Sequence, residues 1–184
     1  MRGRVIAVAL FVVGIAALLF VGAWRTGPVL ASDSDDDARV TMRDDCDPRD
    51  PNWAPTGGCT LRRGDVDENE FRALLRSPLS NATIGHPAWR NDPTYLKIEA
   101  DQTVEVRNRG GRTHTFTEVA EFGGGRVPPL NFGLQPAPEC AAAVNVPPGA
   151  ETNVNGLSVG NHRFQCCIHP WMRTLIKVKP NDHP

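Results

Sequence analysis

Hydrophobic and polar positions follow three different rules along the chain. Residues 5–23 form an unbroken apolar run behind Arg2 and Arg4. From residue 94 onward, apolar residues alternate in short bursts. Leu96 and Ile98 share one face of "YLKIEA", as do Val104 and Val106 of "TVEVRN" and Ile176 and Val178 of "RTLIKVK". Gly, Pro and Asn separate these bursts. Together with "HTFTEV", "ETNVNGL" and "NHRFQC", and with strands hidden in residues 77–92 and 123–146, they predict an all-β sandwich of about seven or eight strands. Between the two regimes lies a Pro/Gly-rich stretch that ends in a helical pattern. Asp67 and Glu70 have capping-box spacing there, just before Phe71, Leu74 and Leu75.

The apolar run reads as an export signal or a membrane anchor spanning residues 1–31. About twenty apolar residues suffice to cross a bilayer, and the small residues Val29 and Ala31 favour cleavage before Ser32. In either case the two arginines stay in the cytoplasm and the rest of the chain lies outside, periplasmic or extracellular, with membrane contact through residues 5–23 if the run is kept. At 184 residues and 40% hydrophobic composition, one domain with an extension is expected.

The formal net charge of −1 hides a gradient, because residues 32–60 hold eight aspartates against three arginines. Residues 32–45 therefore read as an acidic, solvated linker. Basic residues do not cluster, which argues against a nucleic-acid partner. In an oxidising compartment Cys46 and Cys59 are expected to pair, so residues 46–93 read as a disulfide-looped extension with one short helix, and residues 94–184 as the main domain. "DVDENE" does not make a calcium loop, since Glu70 stands where glycine is required and Arg76 where a bidentate glutamate is. "NAT" at Asn81 is a glycosylation sequon.

The chemistry lies in "FQCCIHPWMR". Strand alternation places Cys166 with Phe164 on the core side and turns Cys167 away, free to pair with Cys140. His169 and Met172 follow Cys166 at steps of three, so one tight loop, stiffened by Pro170, can present a thiolate, an imidazole and a thioether. His114, after the "RNRGGRT" turn, supplies a second imidazole. Two histidines, one cysteine and one methionine suit a mononuclear copper ion cycling between two oxidation states, and suit zinc or magnesium poorly. Adjacent cysteines do not suit a binuclear centre, and a bond between them would destroy the thiolate. His86 reads as a loop residue, His162 as partly buried near the sandwich, and His183 as a frayed end.

Over roughly residues 94–179 the sequence resembles the cupredoxins, the small blue copper proteins that include plastocyanin, pseudoazurin and amicyanin. "CCIHPWM" resembles the short amicyanin-type ligand loop, "VPPGAETNVNGLSVGNHRFQC" the turn and strand leading into it, and "VEVRNRGGRTH" the strand ending in Asn before the first histidine. The resemblance implies an eight-stranded Greek-key sandwich and a type 1 copper bound by His114, Cys166, His169 and Met172. It also implies one-electron transfer with a redox partner such as a cytochrome or copper oxidoreductase. His169 would then lie nearest the surface, with Pro170 and Trp171 as the docking patch. Two departures stand out: Thr115 occupies the place of a loop-tying Asn, and Cys167 follows the ligand cysteine. With every coordination position filled by protein, the expectation is an electron carrier and not an enzyme. The alternative is periplasmic copper sequestration or delivery.

Overall fold

The computed structural model describes residues 38–56, 59, 63–75 and 89–181. The apolar run at 5–23, the sequon at Asn81, His86 and His183 lie outside them. Ten strands are present among the described residues: β1 (Arg39–Asp44), β2 (Trp89–Asp92), β3 (Tyr95–Glu99), β4 (Val104–Asn108), β5 (His114–Thr115), β6 (Thr117–Val119), β7 (Asn145–Val146), β8 (Glu151–Val154), β9 (Gly160–Gln165) and β10 (Arg173–Lys179). They form two four-stranded sheets in the orders β2-β1-β4-β8 and β3-β10-β9-β6, plus the small pair β5-β7. Both large sheets are mixed, because β1 runs parallel to β4 and β3 parallel to β10 while the other pairs are antiparallel.

The alternation seen in the sequence is what builds the core. Val40 and Met42 of β1, Val104 and Val106 of β4, Ile98 of β3, Phe164 of β9, and Ile176 and Val178 of β10 are all buried in one cluster. Burying each such side chain contributes about 1.5–3 kcal/mol. The all-β sandwich expected from the sequence is the fold found.

Two boundaries read from the sequence do not hold. Residues 39–44 of the expected acidic linker (32–45) form β1, which pairs with β2 on one side and β4 on the other. The six residues "RVTMRD" alternate strictly, with Val40, Met42 and Asp44 inward and Arg39, Thr41 and Arg43 half-exposed. Outward charges are neutralised across the strands, as in Arg39 with Glu105 and Arg43 with Asp92. The high aspartate content masked a core strand. The boundary at residue 94 likewise separates β2 from the sheet to which it belongs.

The remaining part of the extension packs onto that core. Cys46 and Cys59 are joined by a disulfide. A 3-10 turn (Pro51–Thr56) buries Trp53, whose indole N–H donates to the Val66 carbonyl at 3.2 Å. Helix α1 (Glu68–Leu75) starts where the capping pattern placed it: the Glu70 N–H donates to the Asp67 carboxylate at 2.7 Å. Among the described residues, no helix is long and apolar enough to cross a membrane.

Candidate metal centre

Two loops meet at one end of the sandwich. The first, between β4 and β5, is shaped by Asn108. Its side-chain N–H groups donate to the carbonyls of Arg112 (2.7 Å) and Val146 (2.8 Å), and its amide oxygen accepts from the Gly110 N–H (2.9 Å). That fixes the turn delivering His114, itself paired with Val146. The second loop, between β9 and β10, is closed by backbone bonds from Cys166 N–H to the Met172 carbonyl and from Met172 N–H to the His169 carbonyl, each 2.9 Å.

Thr115 ties the two loops together. Its hydroxyl oxygen accepts the Cys167 N–H at 2.7 Å, and its own N–H points at Cys166 Sγ, 3.4 Å away. A second N–H, from His169, also reaches that sulfur at 3.4 Å.

The adjacent cysteines separate as alternation requires. Cys166 is buried and free, and belongs to the main core. Cys167 is in a disulfide with Cys140 and belongs to a second apolar cluster with Val119, Phe122 and Ala137.

Cys166 Sγ lies 3.9 Å from His114 Nδ1 and 3.8 Å from His169 Nδ1, and the two ring nitrogens are 3.1 Å apart. A triangle with those sides has its centre about 2.1 Å from each corner, where metal bonds measure roughly 2.0–2.1 Å to imidazole and 2.3 Å to thiolate. The three donors converge on a point at bonding distance, so they fit a metal ion. Among the described residues they are the group so arranged. Met172 is buried at the end of the same loop.

Burial and hydrogen bonding shift two of the donors in the metal-free site. Burial pushes the Cys166 thiol up, but hydrogen bonds and charge from His114 and His169 outweigh it and hold the thiol well below its ordinary range. Burial pushes His114 down, yet the Asp44 carboxylate and the Cys166 sulfur together raise it to about 9. Protonated His114 and the Cys166 thiolate thus form an internal ion pair, and a metal bound through Nδ1 has to displace the His114 proton.

The expected docking patch is not at the surface. Pro170 and Trp171 are both buried, Trp171 at 1% exposure. The Phe71 ring of α1 packs 5.6 Å from Trp171, and the rings of Trp53, Phe71 and Trp89 pack tilted against one another at 4.8–5.2 Å. The half-buried ring of His169 lies against Trp171 at 5.6 Å and Trp89 at 6.2 Å. Apolar cover from the extension, which the sequence could not place, turns these residues from docking surface into wall. His162 is partly buried, its Nδ1 bonded to Glu118 at 2.6 Å, and belongs to no ligand group.

Sequence reasoning also missed two polar residues that shape the site, Arg173 and Asp44, and marked Asn108 only as the end of its strand. Asn108 sets the first loop, and the fully buried Arg173 donates to the Pro170 carbonyl at 2.7 Å, its guanidinium lowered to about 10 by burial. Asp44, in the supposed linker, faces His114.

No family model matches the chain, and no curated protein does. Solved structures similar to it include a purple cupredoxin from Nitrosopumilus maritimus, at 17% identity over 78% of this chain and 100% of that one, with a TM-score of 0.40. Also similar is a variant of amicyanin in the Cu(I) form, at 17% identity over 56% of this chain and 92% of the other, with a TM-score of 0.35.

Proposed function

We propose that this chain is an exported mononuclear blue copper protein that carries single electrons between redox partners. The observation that carries the reading is the convergence of His114 Nδ1, His169 Nδ1 and the free Cys166 sulfur on one point at bonding distance. A thiolate with two imidazoles in a triangle is the donor set of copper electron-transfer sites, in which a weak axial thioether completes the sphere. Met172 is our candidate for that thioether. Bound copper would supply a one-electron couple at this point.

The chain's own residues do the rest. Thr115 and the loop-closing bonds hold the donors where they are, so little has to move when an electron arrives. The N–H groups of Thr115 and His169 draw density from the sulfur and favour the reduced state. Trp89 and Trp171 keep water away from the His169 side. With Met172 as the fourth donor, protein would fill every position and leave no place for a substrate, which favours a carrier over an enzyme. The two disulfides and the apolar run at 5–23 support export to an oxidising compartment.

The test mixes oxidised, copper-loaded protein with a reduced c-type cytochrome. The carrier reading expects stoichiometric electron exchange within milliseconds to seconds, with copper retained against a chelator. Rapid loss of copper to the chelator without electron exchange would favour sequestration or delivery instead.

A further inference from the structure

Asp44 ends β1 with its side chain 3% exposed. A buried carboxylate is costly unless its charge is met, and here it is met from three directions. The N–H of Gly111 donates to Oδ1 at 2.7 Å and that of Arg112 to Oδ2 at 2.9 Å, while His114 Nε2 lies 3.3 Å from Oδ2. The turn closes tightly over this contact: a Cβ on Gly110 would stand 2.6 Å from Asp44 Oδ2 and 3.0 Å from His114 Nε2. Little room remains for water.

The two nitrogens of His114 therefore face different groups. Nδ1 points at Cys166 and His169, whereas Nε2 points at Asp44. An imidazole that gives its Nδ1 lone pair to a metal carries its proton on Nε2, and a carboxylate is the best acceptor for that proton. We propose that Asp44 is a positioning and tuning residue for the copper site, fixing His114 in the tautomer that binds through Nδ1 and raising its donor strength so that Cu(II) is favoured over Cu(I). A ligand imidazole hydrogen-bonded to a carboxylate is both oriented and made more basic. Asp44 thus opposes the two N–H groups at the sulfur, which favour the reduced ion. The inference rests on the copper reading above.

The test uses the full chain loaded with copper and its Asp44→Asn variant, which keeps an oxygen for His114 and removes the charge. Chelator competition gives the affinities for Cu(II) and Cu(I), and the reduction potential is measured independently. Cu(II) binding is expected to weaken at least tenfold more than Cu(I) binding, raising the potential by about 59 mV per factor of ten for a one-electron couple. Equal weakening of both ions with an unmoved potential would show that Asp44 only props the loop, and would overturn the proposal. If the variant does not fold, the wild-type protein loaded with Cu(I) carries the test. A slowly exchanging proton on His114 Nε2 in nitrogen-15 spectra supports the assignment, and a His114 with no proton on Nε2 overturns it. A wild-type protein that shows no colour with copper would contradict the copper reading itself, a failure separable from an unshifted potential in a coloured protein.

Discussion

The ion pair between His114 and Cys166 has a pH signature that can be worked out group by group. His114 is raised to about 9, so its contribution to the stability of the metal-free protein is complete below its unfolded value near 6.5 and is lost as pH rises through about 9. Cys166 is depressed, so its contribution is present above its unfolded value near 8.5 and is lost as pH falls through its folded value. Between the unfolded values, roughly 6.5 and 8.5, the two contributions slope in opposite directions with pH and offset each other. A Cys166→Ser/His114→Gln double variant is therefore expected to change the melting temperature of the metal-free protein but not its slope with pH in that window; a changed slope would contradict the pairing. Thr115 makes a separate prediction. Replacing it with Val leaves the buried Cys167 N–H without its acceptor and should cost about 1–3 kcal/mol in denaturant unfolding. A loss within experimental error would mean that the hydroxyl does not tie the loops. At this scale Cys166 and His169, two of the three converging donors, were legible because they lie within one loop. Asp44 was not, since its partners stand 67 to 70 residues away and an aspartate in an acidic stretch looks solvated.

Among the elements, helix α1 and its flanking turn act as a cover whose aromatic residues sit between the ligand loop and solvent. Phe71 bridges Trp53, Trp89 and Trp171. Phe71→Ala should cost about 2 kcal/mol, less than a fully buried phenylalanine because Phe71 is half-buried, and should increase quenching of tryptophan fluorescence by a soluble quencher. Unchanged stability and quenching would show that the cover is incidental. The helix and its cap were readable from local spacing, and so were most strands. The role of α1 was not, because packing of one aromatic ring on another across some hundred residues leaves no periodic trace. β1 was hidden for a different reason: its strict alternation was present in "RVTMRD", but composition outweighed pattern in so short a stretch.

For the molecule as a whole, β1 joins β2 to β4, so the sandwich begins well before residue 46. A chain starting at residue 35 should fold with a cooperative thermal transition, whereas one starting at residue 46 exposes β4 and the underside of the core and should not. Cooperative folding of the shorter chain would contradict the sheet order. The sequence carried the all-β class through its alternation, but the parallel pairings of β1 with β4 and β3 with β10 join residues 66 and 80 positions apart and have no local signal. The sandwich matters because it brings the turn that carries His114 and the loop that carries Cys166 to one end, and the account turns on whether those donors hold copper through the sulfur. The most direct measurement is the visible spectrum of the oxidised, copper-loaded protein beside its Cys166→Ser variant. The account predicts an intense thiolate-to-copper band in the wild type that vanishes in the variant. A colourless wild type, or a band that survives the loss of the sulfur, would contradict it.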